Sequence, residues 1–416
     1  MEKFQDNANN ASNDYKNFVK KKIVETVNLS LQKKEDAKIP NNLIDNLSKE
    51  LNNNSIENKE ILNILDKASD NQKLTEEAQD NLINILVDKN IENKSEINKD
   101  DKNYELTYQI LNKDYSNLSE IQKQVVDLEK NTIIINKENK EENIINCLEN
   151  ISSIVNNGYS INKHTEKTIL NLLNKNERNE NYLVKSTEVI NNMAKNSINI
   201  SNEMSDFIVK KIDENRKKPI LSKNAFTELL ACLVNIIDNC NIPNNSIEAF
   251  QNCLNDYKNK DKKAELKLAI TGLSILSKKH YSLNKEAINS CLDIIESNIL
   301  DEESLKELSD IIDIIFKETE IDNNTFSKLL SIIIKNPEFL DQLSICLINS
   351  LKFKKTKEIE DIITINLKNF EKMILNHTFN NNIISVKKCL MLIFIRAKIH
   401  LYMNFIVLIY YIQKIR

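Results

Sequence analysis

Apolar residues along this chain fall in a grammar that repeats about every forty positions. A polar turn leads to an Ile or Leu, a helix-starting residue follows, and an amphipathic stretch comes after it. The apolar anchors are Ile39, Leu74, Leu118, Ile161, Ile200, Ile242, Leu283, Ile321 and, more weakly, Ile359. Their spacings are 35, 44, 43, 39, 42, 41, 38 and 38 residues. Eight residues past each anchor the position is apolar in every unit: Leu47, Leu82, Val126, Ile169, Ile208, Phe250, Cys291, Leu329 and Leu367. These nine are predicted to form the repeat core.

A second amphipathic stretch precedes each anchor. Ten residues upstream stand Leu29, Ile64, Ile151, Ile190, Cys232, Leu273 and Ile311, with Tyr108 and Asn349 weakening the pattern. Thirteen upstream stand Ile61, Leu148, Leu229, Ile270, Leu308 and Cys346. A spacing of three defines one face of a helix. Each unit therefore reads as helix A, a tight turn, helix B and a charged connector. The connectors are predicted at Lys89–Asn103, Asn131–Asn143, Asn174–Asn181, Asp213–Pro219, Tyr257–Lys263 and Lys352–Lys357.

The turn chemistry supports this reading. Thr75, Ser119, Asn162, Ser201, Asn284 and Asp322 directly follow anchors and suit N-cap positions, where a side-chain oxygen accepts from an orphan N–H of the first turn. Ser119 with Gln122 reads as a capping box. Where Pro intervenes, Asn41 or Asn244 is the expected cap. Three residues before anchors, Asn71, Gly158, Asn239 and His280 tolerate the left-handed conformation that ends a helix.

A two-helix unit cannot bury its apolar face alone, but a stack of such units forms a continuous core. The expected fold is all-α: a right-handed superhelical α-solenoid of about nine two-helix repeats. On period, helix pairing and turn chemistry, residues 14–371 resemble the armadillo/HEAT superfamily. The characteristic Gly and third helix of armadillo units are missing, which favours the two-helix HEAT-like form. The resemblance implies an extended protein-binding surface, with B helices lining the concave side between Leu74 and Leu330.

Composition and charge narrow the class. Two Gly, four Pro and no Trp among 416 residues disfavour folds that depend on tight turns or phosphate loops. Of the net charge of −4, residues 1–371 carry −11 and the segment after Glu371 carries +7. A mildly acidic body argues against nucleic-acid binding. Residues 1–13 are polar and expected to be disordered. Seven unclustered cysteines without a signal peptide point to cytoplasm or another reducing compartment.

Candidate chemistry is sparse. His164, His280, His377 and His400 are scattered and read as solvated turn or surface residues, so no metal site is expected. Cys232, Cys291 and Cys346 occupy core slots and read as small hydrophobes. Gly272 lies inside a helix A, where a neighbouring helix is expected to approach closely. No catalytic residue or cofactor is predicted. The expected function is a protein-binding scaffold or adaptor, its partner and binding face unspecified. Two alternatives share that mode of action. One is a secreted effector of an AT-rich intracellular parasite or bacterium that binds a host protein. The other is a scaffold tethered through the basic, apolar segment 372–416. That segment reads as buried helices or read-through of AT-rich DNA ahead of a membrane contact.

Overall fold

The computed structural model describes residues 21–27, 38–51, 58–87, 101–257, 262–281, 283, 285–297, 301–318 and 321–335, together with 343, 346 and 349. The expected segments 1–13 and 372–416, the anchor Ile359 and the core residue Leu367 lie outside them. The described residues are mostly helical, and there is no strand among them. They fall into two compact units that meet in sequence between Ile200 and Ser201.

The first unit holds α1 (described over 21–27), α2 (Asn41–Glu50), α3 (Asn58–Asn71), α4 (Glu76–Leu86), α5 (Asp101–Lys113), α6 (Glu120–Lys137), α7 (Glu141–Asn156), α8 (Lys163–Lys175) and α9 (Glu180–Lys195). The second holds α10 (Asn202–Lys217), α11 (Lys223–Asn239), α12 (Ser246–Tyr257), α13 (Lys263–Lys278), α14 (Lys285–Ser297), α15 (Glu302–Glu318) and α16 (Asn323–Lys335). From α2 to α16, every even-numbered helix follows an anchor, so anchors mark B helices as the pattern predicts.

Within each unit, like helices stack on like. In the first unit α2, α4, α6 and α8 pack successively, as do α3 on α5 and α7 on α9. In the second, α10, α12, α14 and α16 form one layer and α11, α13 and α15 the other. This is α-solenoid packing, in which each repeat buries its apolar face against the next.

The phase of the repeat differs from expectation. The close antiparallel pairs are α2–α3, α4–α5, α6–α7 and α8–α9, then α10–α11, α12–α13 and α14–α15. Each is a B helix with the A helix after it, joined through the connector rather than through the anchor turn. The reason lies in the anchor turn itself. Three of these turns end the preceding helix on a left-handed residue: Gly158 (φ 89°), Ser197 (φ 55°) and His280 (φ 63°). In each, the left-handed residue's N–H and the next one bond back in the Schellman pattern, as Ser197 N to Ala194 O and Ile198 N to Met193 O. Non-helical residues then carry the chain to the next B helix, as at 159–162. The boundary at Ile200 therefore falls between two complete hairpins.

Caps and connectors follow the sequence with identifiable exceptions. Thr75, Asn162, Ser201 and Asp322 accept from the backbone N–H three residues on, and Ser119 with Gln122 forms the capping box. Asn41 is instead the first residue of α2 behind Pro40, which offers no side-chain cap. Asn244 lies two residues ahead of α12, and Asn245 between them is left-handed (φ 61°). Two connectors shrink. α6 continues to Lys137 because Asn131, Thr132 and Ile135 face the interior. α10 continues to Lys217 because Arg216 bonds Asp213 within the helix and Asp256 on α12.

Hydrogen bonds one repeat apart tie neighbouring units together. Gln72 brackets the backbone of Ile39, its Oε1 accepting from Ile39 N and its Nε2 donating to Ile39 O, each at 2.8 Å. Asp114 Oδ2 accepts from Leu74 N at 2.8 Å. Carbonyls at the ends of A helices, which no intrahelical N–H reaches, take donors from the next A helix's cap. Asn196 Nδ2 reaches Val155 O at 3.2 Å, and Lys279 Nζ reaches Asp238 O at 2.9 Å.

Candidate functional site

The predicted core residues Leu47, Leu82, Val126, Ile169, Ile208, Phe250, Cys291 and Leu329 are all buried. Anchors Ile39, Leu74, Leu118, Ile200 and Ile321 are buried too, whereas Ile161, Ile242 and Leu283 are half-buried. Gly272 faces the ring of Phe250 on α12, where a Cβ would lie 2.5 Å from the nearest ring carbon. These residues build the scaffold; the polar chemistry sits elsewhere.

The first concentration of polar chemistry is buried in the first unit, and it corrects one expectation. His164 is buried, not solvated. Its Nδ1 lies 2.6 Å from Glu129 Oε1, and both side chains are out of reach of water. Asn136 presents its amide nitrogen to His164 Nε2 at 3.1 Å and donates to Thr168 Oγ1 at 2.8 Å. An amide nitrogen only donates, so with this placement Nε2 accepts and Nδ1 carries the proton given to Glu129. Glu129 Oε2 accepts from Asn162 Nδ2 at 3.0 Å, and the same nitrogen donates to Leu86 O at 2.7 Å. Tyr104 of α5 stacks on the imidazole with ring centroids 5.1 Å apart. The N-cap of α8, the middle of α6 and the end of α4 are thereby joined in one satisfied network.

The signal for this network was present in the register. Glu129 stands eleven residues past Leu118. The equivalent position holds Ile85, Leu172, Cys253, Ile294 and Ile332 in other units. An acidic residue in an apolar slot requires a partner, because burying an unpaired charge is very costly. The other charged residue in this slot among interior units, Lys211, bonds Glu214 at 2.8 Å and covers the Phe207 ring at 5.4 Å.

The second concentration is an open groove in the second unit, at the start of α12 and beside the start of α14. It encloses about 660 Å³ and is lined by Asn244, Glu248, Gln251, Asn252, Tyr281 and Glu286, among others. Glu248 and Glu286 lie in the first turns of their helices, where a carboxylate complements the helix dipole. Gln251 is only 5% exposed, and its Nε2 has no hydrogen-bond partner among the described residues. Tyr281 is 43% exposed. A comparable groove between α6 and α7 is lined by polar groups that already bond one another, such as Asn143 to Glu138 and Asn150 to Asn131.

The remaining buried ionisable groups of the second unit are mostly thiols. Burial pushes Cys253 and Cys291 up to about 12, and raises Cys346 further. These are inert, protonated thiols in core slots. Glu265 in α13 is also fully buried, with neither carboxylate oxygen partnered among the described residues. Among the described residues no group of His, Cys, Asp and Glu could hold a metal ion. No described helix is long and apolar enough to cross a membrane.

No family model matches the sequence, and no curated protein matches it. Among solved structures the chain is similar to the crystal structure of an engineered protein, at 12% identity over 87% of this chain and 100% of that one, with a TM-score of 0.42. On these comparisons the chain is assigned to no family.

Proposed function

We propose that this chain is a protein-binding scaffold of the HEAT-like kind, acting by holding partners rather than by catalysis. One observation carries the reading. In each unit, B helices stack side by side in a layer, so their outward residues form a row of equivalent, repeat-spaced positions. Such a surface can engage an extended segment at several points at once. The open groove between α12 and α14 lies on this layer and is lined by Gln251, whose amide nitrogen is unpaired among the described residues.

The reading is tested by affinity capture with the full chain as bait, followed by lysine cross-linking of whatever is retained. Cross-links should cluster on the even-numbered helices. Retention of nothing beyond a charge-matched helical control, or cross-links spread evenly over both layers, would overturn it.

A further inference from the structure

Two features of the α12–α14 groove bear on what it can hold. Helix-end electrostatics account for one carboxylate in each first turn, but Glu248 and Glu286 converge on one groove with no ion-pair partner among the described residues. Gln251 lines the same groove with a buried amide nitrogen that has nothing to donate to. Leaving such a donor unsatisfied costs stability, and native proteins do so rarely. The left-handed Asn245 and its neighbour Asn244 form the rim, and the exposed ring of Tyr281 forms another part of the wall.

The chemistry of these groups selects the occupant. Gln251 lines the groove with an unsatisfied amide donor, which calls for a carbonyl acceptor. The two carboxylates call for a cation. The tyrosine ring favours an alkyl stem ending in an ammonium or guanidinium group. A nucleic-acid phosphate would meet two like charges. A simple polyamine would supply the cation without the carbonyl. A peptide supplies both, with side-chain amides at Asn244 and Asn252 able to pair with its main chain.

We propose that the α12–α14 groove seats an extended peptide segment bearing a lysine or arginine, whose carbonyl takes the Gln251 amide and whose cation lies between Glu248 and Glu286. This rests on the protein-binding reading above and names the partner chemistry of one site within it.

The test uses the full chain and two fluorescein-labelled decapeptide pools, identical except that central positions are Lys and Arg in one and Glu in the other. Fluorescence anisotropy in low salt should show the cationic pool binding at least tenfold more tightly. Raising salt should weaken it, since exposed charges are screened. The double variant Glu248→Gln/Glu286→Gln, checked for unchanged helicity, should lose about that tenfold preference. Gln251→Leu should weaken the cationic pool severalfold without changing its preference over the anionic one. Equal binding of the two pools, or an unchanged preference in the double variant, would overturn the proposal. A partner captured equally by wild type and double variant would also overturn it, while leaving the broader binding role standing.

Discussion

The α6–α8 region of the first unit and the α12–α14 region of the second use the same register to different ends. In both, a B helix stacks on the next B helix, and the slot eleven past the anchor faces inward. In the second unit that slot holds Cys253 and then Ile294, both fully buried, and Phe250 fills the space opened by Gly272. In the first it holds Glu129, and a histidine, two asparagines and a stacked tyrosine assemble to satisfy it. At the apolar slot itself packing supplies the contact, and residues of similar volume and shape are expected to substitute at small cost. The polar version is held by mutual satisfaction and tolerates loss of no single member. A buried polar network exchanges stability for specificity of pairing. Here that specificity would register α6 against α8, where α5 and α7 pack on α6 rather than closely on each other.

The contrast breaks most sharply if the first unit's solution is placed in the second without its partners. Cys253→Glu puts a carboxylate into a fully buried slot, with the Arg216–Asp213–Asp256 ion pairs close enough to act on it. A loss of roughly 4 kcal/mol or more is expected, the range of unpaired buried charge. Hydrogen exchange should show protection lost across α12–α14, with the first unit retaining its own. Retention of wild-type protection in α12–α14 would mean that the slot is not the closed apolar site described.

The converse experiment lies in the first unit. His164→Ala leaves Glu129 buried with Asn162 as its remaining side-chain donor, and about 3–5 kcal/mol should be lost. The double replacement Glu129→Leu/His164→Leu restores the apolar logic of the second unit and should recover most of that loss. Urea unfolding of both variants measures the difference. A double variant as unstable as the single one would show that the network contributes more than satisfaction of the buried Glu129 side chain.

This contrast also marks where the sequence was legible. The anchors, the capping box at Ser119 and the terminators Gly158 and His280 could be read because each follows a local rule within a few residues. Ser197 occupies the same left-handed position, and no local rule marks it because serine is not a residue associated with that conformation. The hairpin phase was invisible because the pattern shows which faces are apolar, not which helices face each other. His164 reads as solvated in the sequence because the four histidines are scattered, and equivalent positions in other units, such as Glu77, Glu203 and Glu286, are exposed. Its burial depends on Tyr104 and Glu129 from other helices, and only Glu129 in an apolar slot hinted at it. The α12–α14 groove was the least legible feature, since it arises from a backbone turn at Asn245 and a missing partner for Gln251.

A smaller effect probes the packing of the second unit. Gly272→Ala forces a Cβ into the Phe250 ring. Overpacking of this kind costs about 1–3 kcal/mol, set against roughly 1 kcal/mol gained from the better helix former. A net loss near 1 kcal/mol is expected, and combining the change with Phe250→Leu should shrink it by relieving the contact. An increase in melting temperature for Gly272→Ala alone would show that the ring shifts without penalty.

The smallest effect at neutral pH grows with alkalinity and separates the two units by their titratable interiors. Burial raises Cys253 and Cys291 from the ordinary 9.0 to about 12, and Cys346 is raised as well. The folded second unit therefore keeps these thiols protonated while the unfolded chain ionises. Their contribution is complete below pH 9 and drains away as the pH climbs toward 12, because above 9 the unfolded state binds fewer protons than the folded one. In the first unit, Cys147 is raised by burial. Tyr115 is raised from 10.0 to about 12, chiefly because its hydroxyl donates to Asp127 at 2.7 Å, so its loss begins a unit later. Between pH 8 and 10, then, the second unit should weaken ahead of the first, as read by hydrogen exchange corrected for its intrinsic pH dependence. Cys253→Ala/Cys291→Ala should start from lower stability through lost packing yet show a flatter alkaline decline. An equal decline in the double variant would place the alkaline sensitivity outside the core slots.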